Sequence, residues 1–285
     1  MNARATIIAA LLVVELAIVG EVIATVRPSH PSGSTAGSIN ANAAYGSSLV
    51  EDGPHRIFEV GAHPALFVDI GYADLTIVVR HIATIDAGLR SSADYGLFRS
   101  QAAITAREDG ATIHVVSNDR ARLSSGDDRM VTIVVPPSTQ ITVLSAGDVK
   151  AAGLRAETSI RSTGTGSVTI EDYRANSLHV STANGNIVLD RISSGRFDIS
   201  SRHGDIDATA LRIRDGRVET RDRISLRFAP GTNTLVSAAT RDGNVSVAGT
   251  AGASSRELRL GSGKGHLDVL SRNGDINLDQ DEPSS

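Results

Sequence analysis

An all-β fold built from a repeating coil, behind a single membrane span, is the class this sequence predicts. Three observations predict it. A Gly-polar-aliphatic phrase recurs every 19 residues in the middle of the chain. No window carries a capped apolar stripe of 3.6-residue period, the mark of an amphipathic helix. One long apolar run stands at the N-terminus, and nothing like it follows.

That run is residues 5–26, "ATIIAALLVVELAIVGEVIATV", interrupted only by Glu15, Glu21 and small residues. At about 1.5 Å per residue in a helix it is long enough to cross a hydrocarbon core of about 30 Å. The expectation is a retained signal-anchor rather than a cleaved signal peptide. Residues 1–4 would then lie in the cytoplasm and the rest of the chain outside it, by the positive charge at Arg4. Residues 27–54 contain "PSHPSGSTAGSINANAAYGSSLV", the composition of a flexible linker.

From residue 55 to 140 short β-branched runs follow one another, among them "ALFVDIG", "LTIVVRHI" and "MVTIVVPP", each bounded by turn residues. They predict a β-rich N-terminal part of the ectodomain. The stretch 86–108 is compatible with a short helix or a loose hairpin.

From 141 to 279 the period becomes explicit. The phrase stands at Gly147-Asp148-Val149, Gly166-Ser167-Val168, Gly185-Asn186-Ile187 and Gly204-Asp205-Ile206. It returns less regularly at Gly243-Asn244-Val245, Gly265-His266-Leu267 and Gly274-Asp275-Ile276, and with Asp replacing Gly at Asp222-Arg223-Ile224. Between phrases lie second strands such as Leu178-x-Val180 and Phe197-x-Ile199, and single aliphatics at Ile192 and Leu211. About three apolar points per coil cannot make a core alone, but stacked coils bury a continuous one. This predicts a single-stranded β-solenoid of about 19-residue coils. A stack of β-hairpins or a sandwich is the rival, since Asn-Gly and Asp-Gly are also hairpin turns. The aromatic share of 3% and absence of Trp mean an aliphatic core in either case. Residues 280–285 form an acidic polar tail.

The phrase raises the question of chemistry. Its glycines (Gly147, Gly166, Gly185, Gly204, Gly243, Gly274) are expected to be structural turns. Asp148, Asn186, Asp205, Asn244 and Asp275 would form an outward polar line, the first place to look for a ligand. Calcium repeats need a double Gly and nine-residue spacing, which are absent. Asp205 and Asp207, with Asp190 and Asp198 nearby, are the best candidates for a glycosidase pair, but Arg191, Arg196, Arg202, Arg212 and Arg214 interleave them as on a solvated face. No G-x-S-x-G or H-E-x-x-H occurs, so no triad or zincin site is indicated. His179, His203 and His266 are scattered, and "GSGKG" (261–265) lacks the Ser or Thr a phosphate loop needs after Lys264. The chain has no Cys and a net charge of -4, so there are no disulfides and no basic surplus for nucleic acid. The expectation is therefore no catalytic residue, no metal and no cofactor. The expected partners are the membrane, through residues 5–26, and an envelope polymer or surface protein.

The run "VTIVVPPSTQITVLSAGDVKAAGL" (131–154), followed by repeated Ser/Thr-x-x-Gly-Asn/Asp-Ile phrases, resembles the bacterial "putative adhesin" domain family, a family of unknown function. The resemblance covers roughly residues 55–279. It implies an all-β, solenoid-like ectodomain, often behind one membrane anchor. Apart from the resemblance, the sequence is read first as a surface domain for adhesion, envelope binding or scaffolding; an envelope-sensing ectodomain working with a membrane partner is the second reading, and a polysaccharide-active enzyme the third. The missing turn Gly at Asp222 predicts a bulged or shifted coil there.

Overall fold

The computed structural model describes residues 55–91, 104–117 and 129–281. The expected span at 5–26, the linker at 27–54 and most of the acidic tail lie outside the described residues. Among the described residues no helix is long and apolar enough to cross a membrane.

Twenty strands make one sheet system. They run β1 (His55–Glu59), β2 (Ala65–Asp69), β3 (Asp74–Val79), β4 (Thr84–Ser91), β5 (Ile104–Asp109), β6 (Thr112–Ser117) and β7 (Arg129–Val135). Then come β8 (Gln140–Ser145), β9 (Val149–Ala152), β10 (Thr158–Ser162), β11 (Val168–Thr182), β12 (Ile187–Ser201) and β13 (Ile206–Thr220). The last are β14 (Ile224–Phe228), β15 (Thr234–Thr240), β16 (Val245–Val247), β17 (Thr250–Ala253), β18 (Ser255–Arg259), β19 (Gly265–Ser271) and β20 (Ile276–Gln280).

The 19-residue period is the register of the stack. β11 pairs in parallel with β12 from Val168↔Ile187 to Thr182↔Ser201. β12 pairs with β13 in the same way, starting at Ile187↔Ile206. Each of these 15-residue strands bends, so that one coil has three sides. Phe197 and Ile199 point inward from the first side, Ile206 and Ala208 from the second and Leu211 from the third, all almost fully buried. The second bend falls at Gly153, Asp172, Arg191 and Ala210, each 19 residues from the last, all with φ between 50° and 78°. Only Gly adopts that left-handed backbone freely; for the other three it costs on the order of 1 kcal/mol each. The third side begins with Leu154, Tyr173, Ile192 and Leu211, all buried. The aliphatic core expected from composition is present, with Tyr173, Phe197 and Phe228 as its largest side chains.

The chain does not climb the stack in sequence order. β2 and β3 lie between the level of β6 and β7 and the level of β8 and β9. The segment expected as a separate N-terminal part thus shares one sheet with the repeat. At the other end β19 and β20 lie between β13 and β14 on one side and β15 and β16 on the other. The irregular spacing after Gly204 comes from this threading: Ile224 pairs with Ile276 and Ile276 with Val245. Antiparallel strands attach near both ends, β4 on β7 and β5 on β6, β18 on β15 and β17 on β16. Of the stretch 86–108, left open between helix and hairpin, residues 86–91 belong to strand β4 and 104–108 to β5, and the residues between lie outside the described ones.

Two local expectations are refined. The coil that begins at Asp222 is shifted, with a register break between Ala208 and Leu211 opposite β14. Gly265-His266-Leu267 reads like the corner phrase but is not a corner. Gly265 opens a first-side strand level with Thr234, and a Cβ there would sit 1.9 Å from the Arg214 carbonyl oxygen.

Candidate functional site

The corner between first and second sides is where the repeated phrase sits, and it is held by two ladders of side chains. Inside, a column of buried hydroxyls precedes the turn: Ser145, Ser162, Thr182, Ser201, Thr220, Ser271 and Thr240. They donate to corner carbonyls, which would otherwise face an aliphatic core unpaired. Thr182 donates to the Gly185 carbonyl at 2.8 Å, Thr220 to that of Gly204 at 2.8 Å, Ser271 to that of Asp222 at 2.7 Å and Thr240 to that of Gly274 at 2.9 Å.

Outside, the expected polar line spends its oxygens on backbone. The Asp148 carboxylate accepts the Ser167 N–H at 2.8 Å. The Asn186 side-chain oxygen accepts the Asp205 N–H at 2.9 Å, and the Asp205 carboxylate accepts the Arg223 N–H at 3.2 Å. The Asp275 carboxylate accepts the Asn244 N–H at 2.8 Å, so Asn244 enters the ladder through its backbone. Asp74 begins the same line by accepting the Asp148 N–H at 2.9 Å.

Between the two ladders lie the glycines. A Cβ on Gly166 would stand 2.0 Å from the Gly147 carbonyl oxygen, and one on Gly185 2.0 Å from that of Gly166. Gly204 meets Gly185 and Gly243 meets Gly274 in the same way. Gly147 is pressed against the carbonyls of Tyr72 and Ala73, and Gly274 against the peptide of Asp222. Asp222 therefore occupies the glycine column, where its carboxylate accepts the Gly204 N–H at 2.7 Å.

The four candidate acids do not converge on one point. Asp205 and Asp207 both face Arg223, at 2.9 and 3.7 Å. Asp190 lies on the second side against Arg191 and accepts the Thr209 hydroxyl at 2.6 Å. Asp198 is on the first side, level with His179 and Arg217. Among the described residues no three His, Asp or Glu converge as metal ligands. His179, His203 and His266 are all exposed; His203 meets Arg221 at 3.1 Å and His266 meets Asp268 at 3.0 Å. "GSGKG" is a turn with left-handed Gly261 and Gly263, fastened by the Asn233 side-chain oxygen, which accepts the Ser262 N–H at 2.9 Å.

An open groove of about 450 Å³ runs over the second side, lined by Thr76, Lys150, Thr169, Glu171, Asp172 and Arg191 among others. Its one perturbed acid is Asp172. The Arg155 guanidinium, 2.6 Å from Asp172 Oδ2, holds this carboxyl below the usual range; Arg174, at 3.4 Å from Oδ1, and Arg191 add to the effect. Partial burial opposes it. A depressed native pKa stabilises the fold above the ordinary carboxylate pKa of about 4, and that contribution is lost as pH falls through the native value. Arg155→Ala is therefore expected to be less stable than the parent at pH 7, with the gap closing below about pH 4. Chemical denaturation at both pH values measures it.

The sequence reading missed the inner hydroxyl ladder and a line of arginines, Arg202, Arg221, Arg272 and Arg241. Both had a signal: each arginine directly follows a buried Ser or Thr of the corner.

Fold and site together define a repeat-built β domain of solenoid-like stacked coils, whose recurring polar residues serve first to close its corners. The chain belongs to the Toastrack DUF4097 family, whose profile matches residues 98–282. A "putative adhesin" from Bacteroides fragilis shares the fold at a TM-score of 0.53 and 15% identity, over 81% of this chain and 98% of that one. A "putative cell adhesion protein" from Clostridium sporogenes aligns over 81% of this chain and 100% of that one, at 13% identity and a TM-score of 0.39. No curated protein matches the chain.

Proposed function

We propose that the chain is a non-enzymatic, membrane-anchored display domain that binds or scaffolds material of the cell envelope outside the cytoplasm. The observation that carries this is the engagement of the recurring polar residues. They hold neighbouring coils in register, which makes a rigid surface with outward columns at a fixed pitch of about 4.8 Å. The adhesin name of the Bacteroides fragilis neighbour agrees with a surface role, and the apolar run at 5–26 supplies the anchor.

The test has two parts. Removing residues 1–27 is expected to give a soluble, strand-rich protein that still sediments with purified envelope fragments. A tag at the C-terminus of the full chain is expected to be cleaved by protease added to intact cells whose outer layers have been made permeable. A protected tag, or a chain that ignores envelope fragments, refutes the proposal.

A further inference from the structure

The four missed arginines stand in one column. Ser200 pairs with Glu219, Thr220 with Ser271, and Ser271 with Thr240, which places Arg202, Arg221, Arg272 and Arg241 on four successive levels at the same corner position. The backbone confirms the alignment: the Arg272 N–H donates to the Thr220 carbonyl, the Asn273 N–H to that of Arg221 and the Asp242 N–H to that of Arg272. Three steps of about 4.8 Å make the column roughly 14 Å long.

Stacking four guanidiniums at this pitch is unfavourable unless something neutralises them, because like charges on neighbouring strands repel. No ion pair among the described residues does so. Among the described residues the guanidiniums of Arg202, Arg241 and Arg272 have no ion-pair partner, and that of Arg221 meets only the His203 ring, at 3.1 Å. Elsewhere on the stack Arg155, Arg191, Arg214, Arg217 and Arg223 each sit within 4 Å of a carboxylate, and arginines without one, such as Arg161 and Arg196, are not stacked on one another in a column of four. The same four turns also hold four acids, Asp205, Asp222, Asp242 and Asp275, but none lies within 4 Å of the column guanidiniums, and three of them have an oxygen on a backbone N–H: Asp205 on that of Arg223, Asp222 on that of Gly204 and Asp275 on that of Asn244.

We propose that this arginine column is the binding site for a linear polyanion, an extended polymer that presents a phosphate or carboxylate to each level. The inference rests on the surface-binding reading above and gives it a partner class. The guanidinium suits either oxyanion, since its planar fork donates two parallel hydrogen bonds to phosphate or carboxylate. The width of the column favours a single strand over a membrane face. It is one residue wide, with Glu219 on one flank and Asp205 and Asp275 on the other, and a flat anionic bilayer would meet those carboxylates as well. Nucleic acid is disfavoured because no Phe, Tyr or Trp stands in the column, and the His203 ring is a single platform where base stacking along a strand needs several.

The test uses the full-length chain in nanodiscs of neutral phosphatidylcholine. It is titrated with long-chain inorganic polyphosphate and with polygalacturonate, which separate the phosphate and carboxylate sources, and mixed with phosphatidylglycerol vesicles and an oligothymidylate. Arg202→Gln with Arg272→Gln removes two exposed charges that support no described contact. Arg161→Gln with Arg196→Gln removes the same charge from the first side. The parent is expected to bind at least one of the two polymers. The column variant should lose about tenfold in affinity, with a salt-dependence slope lower by roughly two, and the control variant should match the parent. Equal losses in both variants, binding to neither polymer, or column-dependent binding to vesicles or oligothymidylate alone would each overturn the proposal. Sedimentation with envelope fragments separates the two levels of inference. If parent and column variant sediment equally, the column fails and surface binding stands; if neither sediments, surface binding itself fails.

Discussion

Gly185→Ala is expected to destabilise the domain by about 3 kcal/mol or more, lowering the thermal midpoint on the order of 10 °C. The added Cβ would lie 2.0 Å from the Gly166 carbonyl oxygen and 2.6 Å from its carbon. These are backbone atoms of the next coil, which also accept the inner hydroxyls, so no side chain can swing aside. Relief requires the coils to separate at the corner, which breaks the ladders of Thr182 and Asn186 together. Gly61→Ala is the matched control, since nothing lies within 4 Å of a Cβ there, and its stability should stay within about 0.5 kcal/mol of the parent. Thermal unfolding followed by far-UV circular dichroism measures both.

Phe197→Ala is expected to cost about 3–5 kcal/mol, the range for emptying a large buried side chain. Phe197 is fully buried on the first side, in register with Leu178 on one neighbouring level and Gly216 on the other. Its neighbours cannot collapse into the space easily. The Phe197 carbonyl packs 2.0 Å from where a Cβ on Gly216 would be, so the backbones are already in close contact. The exposed Val188→Ala, on the second side, should cost well under 1 kcal/mol. Equal effects of the two would mean that Phe197 is not in the core.

The part of the fold that was legible in the sequence is the part where one coil follows the next directly. From Gly147 to Asp205 the period, the inward aliphatics and the third-side residues Ile192 and Leu211 could be read because local spacing and spatial register coincide. The threading of β2 with β3 and of β19 with β20 was not legible. Those strands pair with partners 31 to 75 residues away, and nothing local distinguishes a strand that continues the stack from one inserted into it. Gly265 shows the same limit from the other side: the corner words recur there with a different position in the coil.

The corner chemistry was half legible. The glycines and the polar line were visible as a pattern. That the polar oxygens are occupied by the neighbouring coil's N–H groups follows only from the stacking. The arginine column was hidden by charge mixing, since in sequence Arg202, Arg221, Arg241 and Arg272 look like any of the other arginines that alternate with acids. Register alone puts them in one line and leaves them without carboxylates.

The central claim is that the repeated phrase builds corners of a parallel stack whose levels are not in chain order. The chain has no Cys, so paired cysteines report it directly. Ser225 and Asn277 are register partners on adjacent levels, and Asn277 in turn pairs with Ser246. Adjacent parallel strands place Cα atoms about 4.8 Å apart, within disulfide reach, and the next level is about 9.6 Å away, beyond it. Under mild oxidation Ser225→Cys with Asn277→Cys should form a disulfide detectable by peptide mapping, and Ser225→Cys with Ser246→Cys should not. A bridge between 225 and 246 with none between 225 and 277 would contradict the account.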